Sequence, residues 1–113
     1  MTHPRKLIRG LNRILRDSLG TSSMVERFDV MGALLYLRSL SPCAEPDVQE
    51  VRTLAARQAR KNRRVLCWPD GAIPLDDETL DACVQAICAS TGHEGANDLL
   101  GAAYEELLAH TFD

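Results

Sequence analysis

Leu7, Ile8, Leu11, Ile14, Leu15 and Leu19 recur at the spacing that gathers apolar side chains on one side of an α-helix. Arg5, Arg9, Arg13 and Arg16 fall on the opposite stripe. The pattern predicts an amphipathic helix over Pro4–Leu19, ended by Gly20-Thr21. Ser23 starts a second helix, with Glu26 at the spacing of a capping box. Met24, Phe28, Met31, Leu34 and Leu35 supply its apolar face. Val30, Leu37 and Leu40 widen that face, so this helix is expected to be the most buried. Ser41-Pro42 stops it, because the residue before a proline disfavours helical backbone.

Pro46 fits the first turn of a third helix, where a missing N–H costs nothing. Val48, Val51, Leu54 and Ala55 form its stripe. Asp47 and Glu50 suit its N-terminal end, and Arg57, Arg60 and Lys61 suit its C-terminal end. Val65 to Trp68 is a short apolar stretch that reads as extended. Trp68-Pro69-Asp70-Gly71 reads as a turn, and Pro74 excludes a helix there. Asp76 or Asp77 can cap a fourth helix with the stripe Leu80, Cys83, Val84, Ile87 and Cys88, and Gly92 lies just past its end. Asn97 or Gly95 opens a fifth, with the stripe Leu100, Ala103, Tyr104, Leu107 and Leu108. The expected fold is all-α. It is a compact bundle of about five helices forming a single domain over 1–113, with one short extended element near residues 65–73. Phe28, Leu35, Leu100, Tyr104 and Leu107 are expected in the core.

Aromatic residues make up only 4% of the chain, so aliphatic side chains must fill that core. The basic N-terminus is not followed by an apolar stretch of signal-peptide or membrane-spanning length. This reads as a cytoplasmic protein with no membrane partner. Cys43, Cys67, Cys83 and Cys88 form no Cys-x-x-Cys pair and have no histidine at ligand spacing. They read as small buried hydrophobes. His3, His93 and His110 are isolated and read as surface residues.

Charge changes the picture. Thirteen basic and six acidic residues give residues 1–64 a formal +7, while ten carboxylates and no Lys or Arg give residues 65–113 −10. Two basic groupings stand out: Arg5, Arg9, Arg13 and Arg16, and then Arg57, Arg60, Lys61, Arg63 and Arg64. Either could track a phosphate backbone, since the guanidinium fork makes paired hydrogen bonds to phosphate. Neither carries Asn or Gln placed to read base edges. A solvated helix face explains the same stripes. Asp76-Asp77-Glu78 and Glu105-Glu106 are carboxylate neighbours at a helix start and on a polar face, where solvation is the simpler reading. No phosphate-cradling loop, nucleophile elbow or zinc-protease motif is present, so no catalytic, cofactor-binding or metal-binding residue is assigned.

Leu15-Arg-Asp-Ser-Leu19, followed by the run from Phe28 to Ser41, resembles the opening of the modification subunit of type I restriction systems. Asn97-Asp-Leu-Leu-Gly-Ala-Ala-Tyr-Glu-Glu-Leu-Leu108 resembles the Leu-Gly-x-x-Tyr-Glu helix of the same family. The motifs are degenerate singly, and their order covers nearly the whole chain. The resemblance implies the helical N-terminal domain of an N6-adenine DNA methyltransferase. It places the start of the catalytic domain just past Asp113. That domain would carry the S-adenosylmethionine loop and the Asn-Pro-Pro-Tyr or Asn-Pro-Pro-Phe motif, so no cofactor is expected in this chain. The partners it implies are the catalytic domain, a specificity subunit and DNA. Two alternatives stand beside it: a stand-alone helical protein-interaction module, and a small sequence-tolerant DNA-binding regulator.

Overall fold

The computed structural model describes residues 4–20, 23–41, 46–62, 66–68, 70–90, 101 and 105. Four helices make up its regular structure: α1 (Pro4–Leu19), α2 (Met24–Leu40), α3 (Val48–Lys61) and α4 (Asp77–Ser90). No strand occurs among the described residues, so the segment expected to be extended near 65–73 pairs with no neighbouring strand there. Leu66, Trp68 and Ile73 are buried in an irregular segment instead. The expected fifth helix, with Leu100, Tyr104 and Leu107, lies outside the described residues except for Gly101 and Glu105, which are helical and exposed. His3, His93, His110 and Cys43 also lie outside them.

Local chemistry sets the helix ends. Gly20 takes a left-handed φ of +59° just after α1, and its N–H donates to the Arg16 carbonyl. Ser23 caps α2 by accepting the Glu26 N–H at 3.1 Å. Asp47 caps α3 by accepting the Glu50 N–H at 2.8 Å. Pro46 therefore sits one residue before the cap rather than in the first turn, and it is buried. Asp76 caps α4 by accepting the Thr79 N–H at 2.8 Å. That settles the choice between Asp76 and Asp77, and leaves Asp77 free to make a tertiary contact.

α2 and α4 touch each other, and both touch α1 and α3, but α1 and α3 do not touch. α1 packs most extensively on α4. The shared core contains Leu7, Ile8, Leu11 and Leu15 from α1, Phe28, Met31 and Leu35 from α2, and Leu80, Cys83 and Ile87 from α4. α3 contributes the smaller Val51, Ala55 and Ala59. α2 is buried around most of its circumference, as its wide apolar face predicts, although Leu40 at its end is exposed.

The small side chains of α3 leave room for the segment that precedes α4. Gly71 closes the expected turn, its N–H donating to the Trp68 carbonyl at 2.9 Å. It has a φ of +74°, and a Cβ built there would lie 2.7 Å from the Ala55 carbonyl oxygen. Only glycine meets both demands. Trp68, Ile73 and Leu75 are buried as the segment crosses this part of the core.

Candidate nucleic-acid interface

The burial of Leu7, Ile8, Leu11 and Leu15 fixes the rotation of α1. With that face inward, Arg9, Arg13 and Arg16 are all exposed on the other side. Lys6 is exposed as well and extends the stripe toward the N-terminus. Sequence reasoning passed over Lys6, although it stands three residues before Arg9. Arg5 belongs to α1, and its side chain lies outside the described residues. The stripe from Lys6 to Arg16 is about 15 Å long at 1.5 Å per residue.

On α3, Val51, Ala55 and Ala59 face inward. Arg57 and Arg60 stand opposite that row and Lys61 flanks it, all three exposed. Their position in the last turns also lets them offset the negative end of the helix dipole. Arg63 and Arg64 lie outside the described residues. None of Arg13, Arg16, Arg57, Arg60 and Lys61 makes a side-chain hydrogen bond or ion pair to another described residue. The two groupings lie on helices that do not touch each other.

Three other arginines serve the fold. Arg27, near the start of α2, and Arg38, in its last turn, are both buried. Arg27 Nε donates to Asn12 Oδ1 of α1 at 2.7 Å. Arg52 is half-buried between α3 and the start of α4. Its Nη2 donates to the Leu75 carbonyl at 2.6 Å, and its Nη1 to the Ile73 carbonyl at 3.2 Å. These roles depend on partners far along the chain. One clue to α2 was available: Arg27, Met31, Leu34 and Arg38 repeat at heptad-like spacing inside its apolar face.

The acidic half is organised around the start of α4. Asp76, Asp77, Glu78 and Asp81 are exposed there, where negative charge favours the helix N-terminus. Thr79 holds the Asp76 carboxyl below its usual pKa through its hydroxyl and its backbone N–H, with a smaller pull from Arg52. This is a cap with solvated neighbours, and its carboxylates do not converge on a cleft.

Cys67, Cys83 and Cys88 are free thiols. Cys83 is buried as expected, and burial pushes its thiol up to about 11. Cys88 is half-buried against the core. Cys67 departs from the expectation: it is exposed. Its Sγ nevertheless lies 3.8 Å from the Asp29 carbonyl oxygen. Partial burial first, and then the Asp29 charge, push its pKa up to about 11. A thiol of this kind is a poor nucleophile at neutral pH. No group of three or more metal-ligating side chains occurs among the described residues. No helix among them is long and apolar enough to cross a membrane.

One small hollow, with about 20 Å³ of water-accessible space, lies between α2, α3 and α4. Leu34, Leu37, Val51, Leu54, Val84 and Ile87 make it apolar, with Arg38 and Glu50 also in its lining. In comparisons with known proteins, no family model, no curated protein and no solved structure matches the chain.

Proposed function

We propose that this chain is a non-catalytic helical module that holds DNA by its phosphate backbone, as an accessory domain of an N6-adenine DNA methyltransferase. One observation carries the DNA part of the reading. The burial pattern of α1 turns Arg9, Arg13 and Arg16 outward together, on one rigid helical stripe. Enzymes that modify a base extrude it from the duplex, so the flanking backbone has to be held. Phosphate contacts position a protein on DNA without reading sequence. The methyltransferase part rests on the motif order in α1, α2 and residues 97–108. S-adenosylmethionine, the catalytic domain and a specificity subunit belong to that larger assembly.

Fluorescence anisotropy on unrelated duplexes at several salt concentrations tests the DNA reading. The expected binding is weak, similar for every sequence and steeply weakened by salt. Affinity confined to one duplex, or no binding at 50 mM salt (about the low-salt end where such contacts are strongest), overturns it. Calorimetric titration with S-adenosylmethionine should give no saturable heat. Micromolar binding would overturn the non-catalytic assignment.

A protein-interaction module is the competing reading, and the apolar hollow between α2, α3 and α4 favours it. An absence of DNA binding together with saturable capture of a separately produced catalytic domain would decide for it.

A further inference from the structure

We infer that the molecule has two independent phosphate-binding faces and bridges two separate stretches of duplex DNA, one on α1 and one on the C-terminal turns of α3. The inference rests on the DNA reading above and adds the geometry of engagement. α2 and α4 form a central pair, and each of α1 and α3 packs against both members. A pair of helices offers two grooves, one on each side. α1 has 16 residues and α3 has 14, about 24 and 21 Å of helix at 1.5 Å per residue. End to end they would need about 45 Å, well beyond the roughly 25 Å that the 17 residues of α2 offer along one groove. They also do not touch. α1 and α3 therefore fill opposite grooves.

Each flanking helix buries its apolar row against the central pair and turns its basic residues outward. Arg9, Arg13 and Arg16 thus face away from Arg57 and Arg60. The molecule measures 37 × 32 × 26 Å, so its body stands between them. Even the shortest dimension is about three Debye lengths at physiological ionic strength. The two faces do not reinforce each other on one straight duplex, and occupation of one leaves the field of the other nearly unchanged. A duplex seated on α1 leaves the α3 face open to a second duplex, or to a distant turn of the same one.

The experiment is a two-duplex capture. A biotinylated duplex is fixed to beads, and a fluorescent duplex of unrelated sequence is added with the protein at low salt. The wild type is expected to retain the fluorescent duplex, and retention should fall again when protein is in excess over both duplexes. The variant with Arg9→Gln, Arg13→Gln and Arg16→Gln should still bind a single duplex but lose retention. So should the variant with Arg57→Gln, Arg60→Gln and Lys61→Gln. Single-duplex binding by each variant should keep the salt slope of its intact face, about 0.9 per phosphate contact. Thermal melts confirm that each variant remains folded.

Single-duplex binding without retention in the wild type overturns the bridge while leaving the DNA reading intact. Retention that survives either triple substitution also overturns it, because bridging would then come from self-association through one face. An absence of binding to any duplex overturns both the inference and the reading beneath it.

Discussion

Arg52 of α3 and Asp77 of α4, 25 residues apart in sequence, meet at 2.8 Å. Arg52 Nε donates to the same carboxylate oxygen at 3.0 Å, and two other donations hold the carbonyls of Ile73 and Leu75. One planar side chain thus ties α3 to both the segment before α4 and the first residue of α4. An exposed ion pair contributes little by itself. The backbone carbonyls are what make this arginine costly to remove.

Arg52→Ala is expected to destabilise the fold by about 1–3 kcal/mol, because a charged donor is lost from several acceptors at once. Arg52→Lys should recover only a small part, since an ammonium cannot reproduce the planar fork. Urea unfolding followed by circular dichroism measures both. An unchanged midpoint for Arg52→Ala would show that the seam holds without it.

Two left-handed glycines should respond differently to the same substitution. At Gly20 an added Cβ meets nothing within 4 Å, so Gly20→Ala costs only the backbone conformation, about 1–2 kcal/mol. At Gly71 the Cβ would also sit 2.8 Å from Ala56 Cα and 2.9 Å from Ala59 Cβ. Gly71→Ala should cost the conformation plus a backbone clash, about 2–5 kcal/mol together. Equal melting temperatures for the two variants would contradict the close approach of this segment to α3.

The Asp76 cap gives stability a pH dependence with a definite sign. Its folded-state pKa lies below the unfolded value, so the unfolded chain binds the proton more readily. The contribution is complete above the unfolded Asp value of about 3.9. It is lost as pH falls through the lower folded value. Asp76→Asn keeps a capping oxygen and removes the titration. Denaturation midpoints at successive acidic pH values should converge for wild type and variant as the pH drops. Parallel curves would rule the cap out as a contributor.

Cys67 should be reachable but slow. Its thiol titrates near 11, so alkylation by iodoacetamide at neutral pH should lag behind a model thiol of pKa about 8.5. The rate should climb as pH is raised through 10 (about 1 unit below the titration point, where a thiolate fraction of about one-tenth has formed). Cys83 should react only when the protein unfolds. Peptide mapping after timed alkylation distinguishes the sites, and rapid modification of Cys67 at pH 7 would contradict its desolvation.

Most of the helical framework could be read from periodicity. The stripe from Leu7 to Leu19 placed α1 at the residues where it occurs, and Ser23 with Glu26 marked the start of α2. Pro46 misled at α3, because a buried proline just before an aspartate cap resembles a proline in the first turn. In Leu66 to Leu75 the turn at Trp68–Gly71 could be read, but the packing of the segment could not. Its buried residues alternate with exposed ones, as in Gly71, Ile73 and Leu75, yet they pair with no strand and find their places by fitting the small surface of α3. The candidate interface shows the same division. Local spacing revealed which arginines share a helix face, and helix rotation confirmed that they point outward. Spacing along the chain could not reveal that α1 and α3 do not touch, because that depends on which helices become neighbours.

The packing of α1 on α4 has a consequence for how the molecule comes into being. Ser18 and Thr79, 61 residues apart, sit 3.2 Å from each other where the two helices meet. The leucines of α1, partly covered by α2, therefore wait for α4 before their larger packing surface is covered. Closing so long a loop delays assembly. A nascent chain interrupted before Asp77 would hold α1 by its packing on α2 alone, without the more extensive packing on α4. The basic face gains its larger support only once α4, in the acidic half of the chain, has been made.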